Sequence, residues 1–171
     1  MFRHVKKLHF VGIGGIGMSG IAELLLNQGF KITGSDINDS KVIQNLKEKG
    51  ADIYKGHDTT YLTDADVLVY SSAVNKDNPE IIAAIEKNIP IIRRAEMLGE
   101  LIALKETSIG VAGTHGKTST SSMIGAMLSQ AKLDPTLVVG GLVRNINTNS
   151  LLGEGDIIVV EADEFDRSFL S

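Results

Sequence analysis

The sequence predicts an α/β fold: a doubly wound parallel sheet, followed by a second α/β unit. Three observations carry that expectation. Short apolar runs of β type alternate with segments of helical periodicity along the whole chain, the order that builds parallel sheets with helices on both faces. Gly12-Ile13-Gly14-Gly15-Ile16-Gly17 follows the first such run, and Gly113-Thr114-His115-Gly116-Lys117-Thr118 follows a later one. Each is a glycine-rich turn between a strand and a helix, where backbone N–H groups and the positive end of a helix dipole converge on an anion. The first pattern is Rossmann-like, and the second is that of a P-loop ATPase domain.

Leu8-His9-Phe10-Val11 reads as the first strand, and Ile21, Leu24 and Leu25 mark a helix that ends near Gly29. Lys31-Ile32-Thr33-Gly34 is the second strand and runs into Ser35-Asp36. An acid about twenty residues beyond the last glycine is expected to meet a ribose hydroxyl. A charged helical stretch from Lys41 to Lys49 and a short strand near Asp52 to Tyr54 come next, then Val67-Leu68-Val69-Tyr70, which closes on Ser71-Ser72. Asn78-Pro79-Glu80 starts a helix, with Asn78 as N-cap and Pro79 in the first turn, where its missing N–H is not needed. Pro90-Ile91-Ile92 reads as a strand and Arg94 to Leu104 as a helix.

The polar stretch Lys105-Glu106-Thr107 predicts a boundary, with one domain over residues 1–105 and a second over 106–171 that opens on the phosphate loop. Ile109-Gly110-Val111-Ala112 is the strand that feeds the phosphate loop, and Met123, Ile124, Met127, Leu128 and Ala131 are expected on one face of the helix after it. Pro135 to Val139 reads as a strand, Gly140 to Gly155 as a polar loop rich in asparagine (Asn145, Asn147, Asn149), and Asp156 to Glu161 as a buried strand ending in acid. No internal repeat and no low-complexity segment interrupts this order.

Composition sets limits on function. With 171 residues, 43% of them hydrophobic, the chain can bury the core of one large domain, or of one domain and part of another. It shows no secretory leader and no apolar run of about 18 residues, so a cytoplasmic protein without membrane insertion is expected. Zero cysteines exclude disulfides and thiolate metal sites. A net charge of -4 with interspersed signs leaves no basic stripe for nucleic acid.

The phosphate loop is expected to hold a nucleoside triphosphate, with Lys117 reaching the phosphates and the Thr118 hydroxyl turned to Mg²⁺. Val111 stands where the longest form of the pattern has glycine, so the match is to the shorter G-x-x-G-K-T. Mg²⁺ also needs a carboxylate at a neighbouring strand end. Glu161 suits that role; Asp163, Glu164 and Asp166 crowd behind it and equally suit a solvated turn. At the first turn, Gly12, Gly14, Gly15 and Gly17 let a backbone approach a diphosphate, and the residues alone leave NAD and other nucleoside diphosphates open, with Asp36 favouring NAD by spacing. Ser71 and Ser72 suit a ligand contact and a plain turn alike, and His57 suits a surface loop as well as a ligand. His9, inside a strand, reads as structural. Arg93 and Arg94 face an anion or water, and His4 carries no signal.

Four stretches together resemble the Mur ligase family: Gly113 to Thr118, Glu161-Ala162-Asp163-Glu164, Arg93-Arg94-Ala95-Glu96-Met97-Leu98, and the run Gly12 to Gly20. The resemblance covers essentially the whole chain. A histidine before G-K-T is similar to the branch that adds L-alanine and to the branch that recycles wall peptides; the intact G-x-G-x-x-G favours the former. The resemblance implies three domains: one binding the UDP part of UDP-N-acetylmuramate, a central ATPase, and a third closing over ATP and the amino acid. The first would be complete in this chain and the second partial. It implies that ATP phosphorylates the muramyl carboxylate and that the L-alanine amine attacks the acyl phosphate, a step of peptidoglycan synthesis. Lys117 would then stabilise the transferring phosphoryl group, Thr118 and Glu161 would hold Mg²⁺, and His115 would lie beside the phosphates.

The same resemblance implies that the first glycine turn cradles UDP and not NAD, with Asp36, His57, Ser71 and Ser72 towards the uridine or sugar. Asn149 matches the family's loop asparagine. Asn147 and Ser150 depart from the usual glycine and alanine beside it, and Ser119, the last residue of the ATP loop, stands where threonine is common. The chain is thus expected to bind the UDP substrate, to be inactive alone, and to present an unpaired sheet edge open to self-association. A nucleotide-sensing module that binds NAD without chemistry, and a stand-alone P-loop hydrolase, are the alternatives.

Overall fold

The computed structural model describes residues 4–103, 105–143, 148–151, 153 and 155–161. The chain divides into two units, Met1–Met97 and Leu98–Ser171. In the first, the strands β1 (Lys7–Val11), β2 (Lys31–Asp36), β3 (Asp52–Lys55), β4 (Val67–Tyr70) and β5 (Ile91–Arg93) form a wholly parallel sheet in the order β3-β2-β1-β4-β5. The helices α1 (Ile16–Asn27), α2 (Lys41–Glu48) and α3 (Pro79–Glu86) connect them, and α4 (Arg94–Ile102) follows β5 without a linker.

The chain therefore begins at the centre of the sheet, builds outwards through β2 and β3, and returns to build the other side through β4 and β5. The order reverses between β1 and β4, which opens a crevice at their carboxyl ends. As the central strand, β1 is covered on both faces, and Leu8, Phe10 and Val11 are fully buried. Each such side chain contributes about 2 kcal/mol by leaving water. A second cluster, Leu62, Leu68, Ile81 and Ala84, packs α3 against β4.

The caps follow the local sequence. Asn78 accepts the Glu80 N–H at 2.9 Å with Pro79 in the first turn of α3, as its sequence predicts. Ser40 caps α2, and Glu96 reaches back to the Arg93 N–H at 2.7 Å.

In the second unit, β6 (Thr107–Val111), β7 (Thr136–Val143), β8 (Thr148–Leu151) and β9 (Ile157–Glu161) form a sheet in the order β6-β9-β7-β8, with α5 (Lys117–Gln130) after β6. Here β9 is parallel to both β6 and β7, while β8 pairs antiparallel with β7. This corrects the polar loop expected from Gly140 to Gly155. Part of that stretch is a strand, because pairing with Thr148–Leu151 satisfies the open edge of β7 despite the polar side chains. Asn149 lies in β8; Asn145 and Asn147 fall outside the described residues.

The buried face of α5 also differs from expectation. Met123 and Met127 are exposed, at 59% and 71%, while Ser121 and Gly125 are buried and Ile124 and Leu128 pack on Leu137, Val139 and Val159. Residues 121, 124, 125 and 128 share one stripe at helical spacing. The reason is close approach: a Cβ on Gly125 would come within 3.3 Å of Leu137, so the small residues mark the contact and the methionines do not. Among the described residues no helix is long and apolar enough to cross a membrane.

Candidate functional site

The crevice at the β1/β4 switch point is a cleft of about 750 Å³, within the range that small ligands occupy. Its floor is the turn after β1. The N–H groups of Gly12 and Ile13 donate to the Ser35 carbonyl at 2.9 and 3.1 Å, which lays the turn across the end of β2. Gly12 has φ +78°, and a Cβ there would sit 3.1 Å from Val74 Cγ2, so the position excludes side chains twice over. Asp36 pins the next peptide. Its Oδ2 accepts the Gly14 N–H at 2.8 Å and its Oδ1 the Asn38 N–H at 2.9 Å. The carboxylate expected to face a ribose thus also shapes the turn, and Asp36 lines the cleft.

Gly15 is the N-cap of α1 and makes no side-chain cap, which leaves the first-turn N–H groups and the positive helix end for an anion. Gly17 lies in that first turn. A Cβ on it would be 2.6 Å from Arg94 Nη1, so the missing side chain is what lets the guanidinium lie against α1. Arg93, by contrast, is exposed; its Nε donates to the Tyr70 hydroxyl at 3.2 Å, and that contact raises its pKa further above the usual range. Of the two arginines left open between anion and water, Arg94 is the one that lies against the first turn of α1.

Gly12, Gly14, Gly15, Asp36, His57 and Ser71 all line the cleft. Gly17 lies outside the lining, against Arg94, and Ser72 is exposed and outside it. Ser71 also closes a turn, accepting the Ala73 N–H at 3.3 Å. The lining further includes Asn38, Asn75 and Asn78, which the sequence did not single out as ligand contacts. Only Asn78 carried a signal, as a helix cap.

Behind this wall runs a buried polar chain. His9 Nδ1 is 2.8 Å from Thr33 Oγ1, and its Nε2 is 2.5 Å from Glu80 Oε2, with both His9 and Glu80 fully buried. The other carboxylate oxygen, Oε1, is 2.8 Å from His57 Nδ1, which Ser35 Oγ also approaches at 3.0 Å. Nothing in the sequence links these positions, because their spacing matches no local period.

The phosphate loop keeps its contacts local. Gly116 adopts φ +77° as the N-cap of α5, with open space where a Cβ would be. Lys117 Nζ donates across the loop to the Gly113 carbonyl at 2.7 Å. His115 Nδ1 lies 3.3 Å from Thr114 Oγ1, and Ser122 Oγ donates to the Thr118 carbonyl at 2.6 Å. Thr118 is half-buried and Ser119 exposed. In the sheet, Val111 is the register partner of Glu161, so the acid-ending strand lies beside the one that feeds the loop. Asp163, Glu164 and Asp166 fall outside the described residues. Among the described residues no three His, Cys, Asp or Glu side chains cluster as a metal site.

A profile of the Mur ligase family, catalytic domain, matches residues 7–106. The chain is 56% identical over 170 residues to UDP-N-acetylmuramate–L-alanine ligase of Desulfotalea psychrophila, covering 99% of this chain and 37% of that protein. It is 57% identical over 166 residues to the ligase of the same name from Aquifex aeolicus, covering 97% and 36%. The chain thus spans little more than a third of these relatives' length. Among solved structures, the UDP-N-acetylmuramate-alanine ligase of Thermotoga maritima superposes with a TM-score of 0.83 at 33% identity, covering 91% of this chain and 37% of that one. The UDP-N-acetylmuramate:L-alanyl-gamma-D-glutamyl-meso-diaminopimelate ligase from Neisseria meningitides gives 0.85 at 31% identity, covering 95% and 54%.

Proposed function

The chain belongs to the Mur ligase family, and from that premise we propose that it carries the UDP-substrate site and the first part of the ATP site of a UDP-N-acetylmuramate–L-alanine ligase of cytoplasmic peptidoglycan synthesis. The first would occupy residues 1–105 and the second 106–171. The observation that carries the proposal is the cleft at the switch point. It joins the uncapped N-terminus of α1 at Gly15, suited to a diphosphate, to Asp36, His57 and Ser71 along its wall, suited to hydroxyl and imide groups.

In this scheme Gly12, Gly14 and Gly15 admit the diphosphate of UDP-N-acetylmuramate, and Asp36, His57 and Ser71 serve its uridine and sugar; Gly17 and Ser72, outside the lining, and Asn149, in the second unit, are left out of that site. Gly113, Thr114, His115, Gly116, Lys117, Thr118 and Ser119 hold ATP. Lys117 exchanges the Gly113 carbonyl for phosphate oxygens and balances charge on the transferring group. A phosphoryl group passes from ATP to the muramyl carboxylate. The L-alanine amine then attacks that carbon, the C–N bond forms, and phosphate leaves. The residues also fit Mg²⁺: Thr118 and Glu161 are hard oxygen donors that would hold it, and the register of β6 with β9 supports their pairing. When bound it supplies neutralisation of the phosphate oxygens. Binding is assigned to the present chain, and completed ligation to a chain of the relatives' full length.

Calorimetry with UDP, UDP-N-acetylmuramate and NADH tests the proposal. Uridine nucleotides are expected to bind and NADH to give no heat; tight NADH binding with silent uridine nucleotides would establish the NAD-sensing alternative instead. Phosphate release with ATP distinguishes the third possibility, since steady turnover by this chain alone marks a hydrolase.

A further inference from the structure

We propose that Glu80 is a positioning residue for the uridine site: it fixes the proton of His57 on Nδ1 and so turns Nε2 into the cleft as a hydrogen-bond acceptor for a hydroxyl or imide N–H of the nucleotide. The inference rests on the uridine reading for its ligand, and on the buried chain His9, Glu80, His57 for its geometry.

A carboxylate oxygen and an imidazole nitrogen 2.8 Å apart require a proton between them. Glu80 meets that condition twice, at His57 Nδ1 and at His9 Nε2. An ionised carboxylate accepts both. His9 can then accept from the Thr33 hydroxyl at Nδ1, 2.8 Å away, and every polar atom of the buried chain is satisfied. His57 is the only ring of the two that reaches solvent, with 21% of its side chain exposed, and it lines the cleft. Since Nδ1 is committed inwards, Nε2 is its remaining polar atom, and it has no partner among the described residues. The second nitrogen of a histidine is thus set by a residue that touches no ligand.

The test is the nitrogen pattern of the two histidines in ¹⁵N-labelled chain at pH 8, above the ordinary imidazole range. Wild type is expected to show the proton of His57 on Nδ1 and that of His9 on Nε2. A wild-type spectrum with a proton on His57 Nε2 overturns the proposal, and this measurement needs no variant to fold. In Glu80→Gln the amide oxygen accepts from only one ring and its NH₂ must donate to the other. His57, which can take its proton from water, is expected to invert to the Nε2–H form, and UDP affinity should fall about fivefold. A purely structural Glu80 would instead shift the melting temperature and leave both the His57 pattern and UDP affinity unchanged. If UDP fails to bind wild type at all, the uridine reading fails, while the nitrogen pattern decides the role of Glu80 by itself.

Discussion

The two glycine turns share a plan and differ in where their partners come from. At the phosphate loop, Lys117 bonds Gly113, His115 meets Thr114, and Ser122 bonds Thr118, all within four residues. At the first turn the contacts are distant in sequence: Gly14 to Asp36, His57 to Glu80, and His9 to Glu80 across 71 positions. A loop that closes on itself is specified by its own motif. A loop walled by remote side chains is specified by the sheet that brings them together, so its shape depends on the fold of the whole unit.

The largest expected effect separates the two sites by ligand. Lys117→Met should lower ATP affinity about a hundredfold, since it removes a charge-assisted contact, and leave UDP affinity unchanged; titrations of both nucleotides would show whether the sites are independent. Next comes a matched pair of glycines. Gly12 and Gly116 have φ of +78° and +77°, but only Gly12 is hemmed in, by Val74 and Ser71. Gly12→Ala is expected to destabilise its unit by about 2–3 kcal/mol and Gly116→Ala by about 1 kcal/mol, the difference being the packing of the first turn. Urea unfolding followed at His9 for one unit and at His115 for the other would read the two values.

A smaller effect of opposite sign is expected in α5. Ser121 Oγ is buried and has no partner among the described residues. Ser121→Ala should raise the stability of the second unit by about 1 kcal/mol in the same experiment, because it removes an unmet polar group and improves helix propensity. The smallest effect concerns Asp66, which accepts the N–H groups of Lys6 and Lys7 at 2.7 and 2.9 Å. These bonds, that of Lys6 first, hold its carboxyl below the usual carboxylate range. A depressed folded pKa means that the stabilisation is present above the unfolded value and is lost as pH falls through the folded one. The stability difference between wild type and Asp66→Asn should therefore be level near neutrality and shrink in acid.

Features governed by local rules were legible without the structure. Both glycine turns, the cap at Asn78 with Pro79, and the alternation that gives a parallel sheet follow from periodicity and from φ preferences acting within a few residues. Where two local rules competed, sequence was a poor guide. The methionines of α5 have the right spacing for a buried face, yet the stripe through Ser121 and Gly125 wins because Leu137 approaches too closely for larger residues. The asparagine-rich stretch after Gly141 reads as a loop, yet β8 forms there because the edge of β7 needs a hydrogen-bonding partner. Local sequence was enough for the fold class, the two glycine turns and the family. Tertiary structure alone decided that Asp36 shapes its turn, that Arg94 lies against Gly17, and that Glu80 joins His9 to His57. Those contacts arise from parallel register and burial, which couple residues with no periodic relation along the chain.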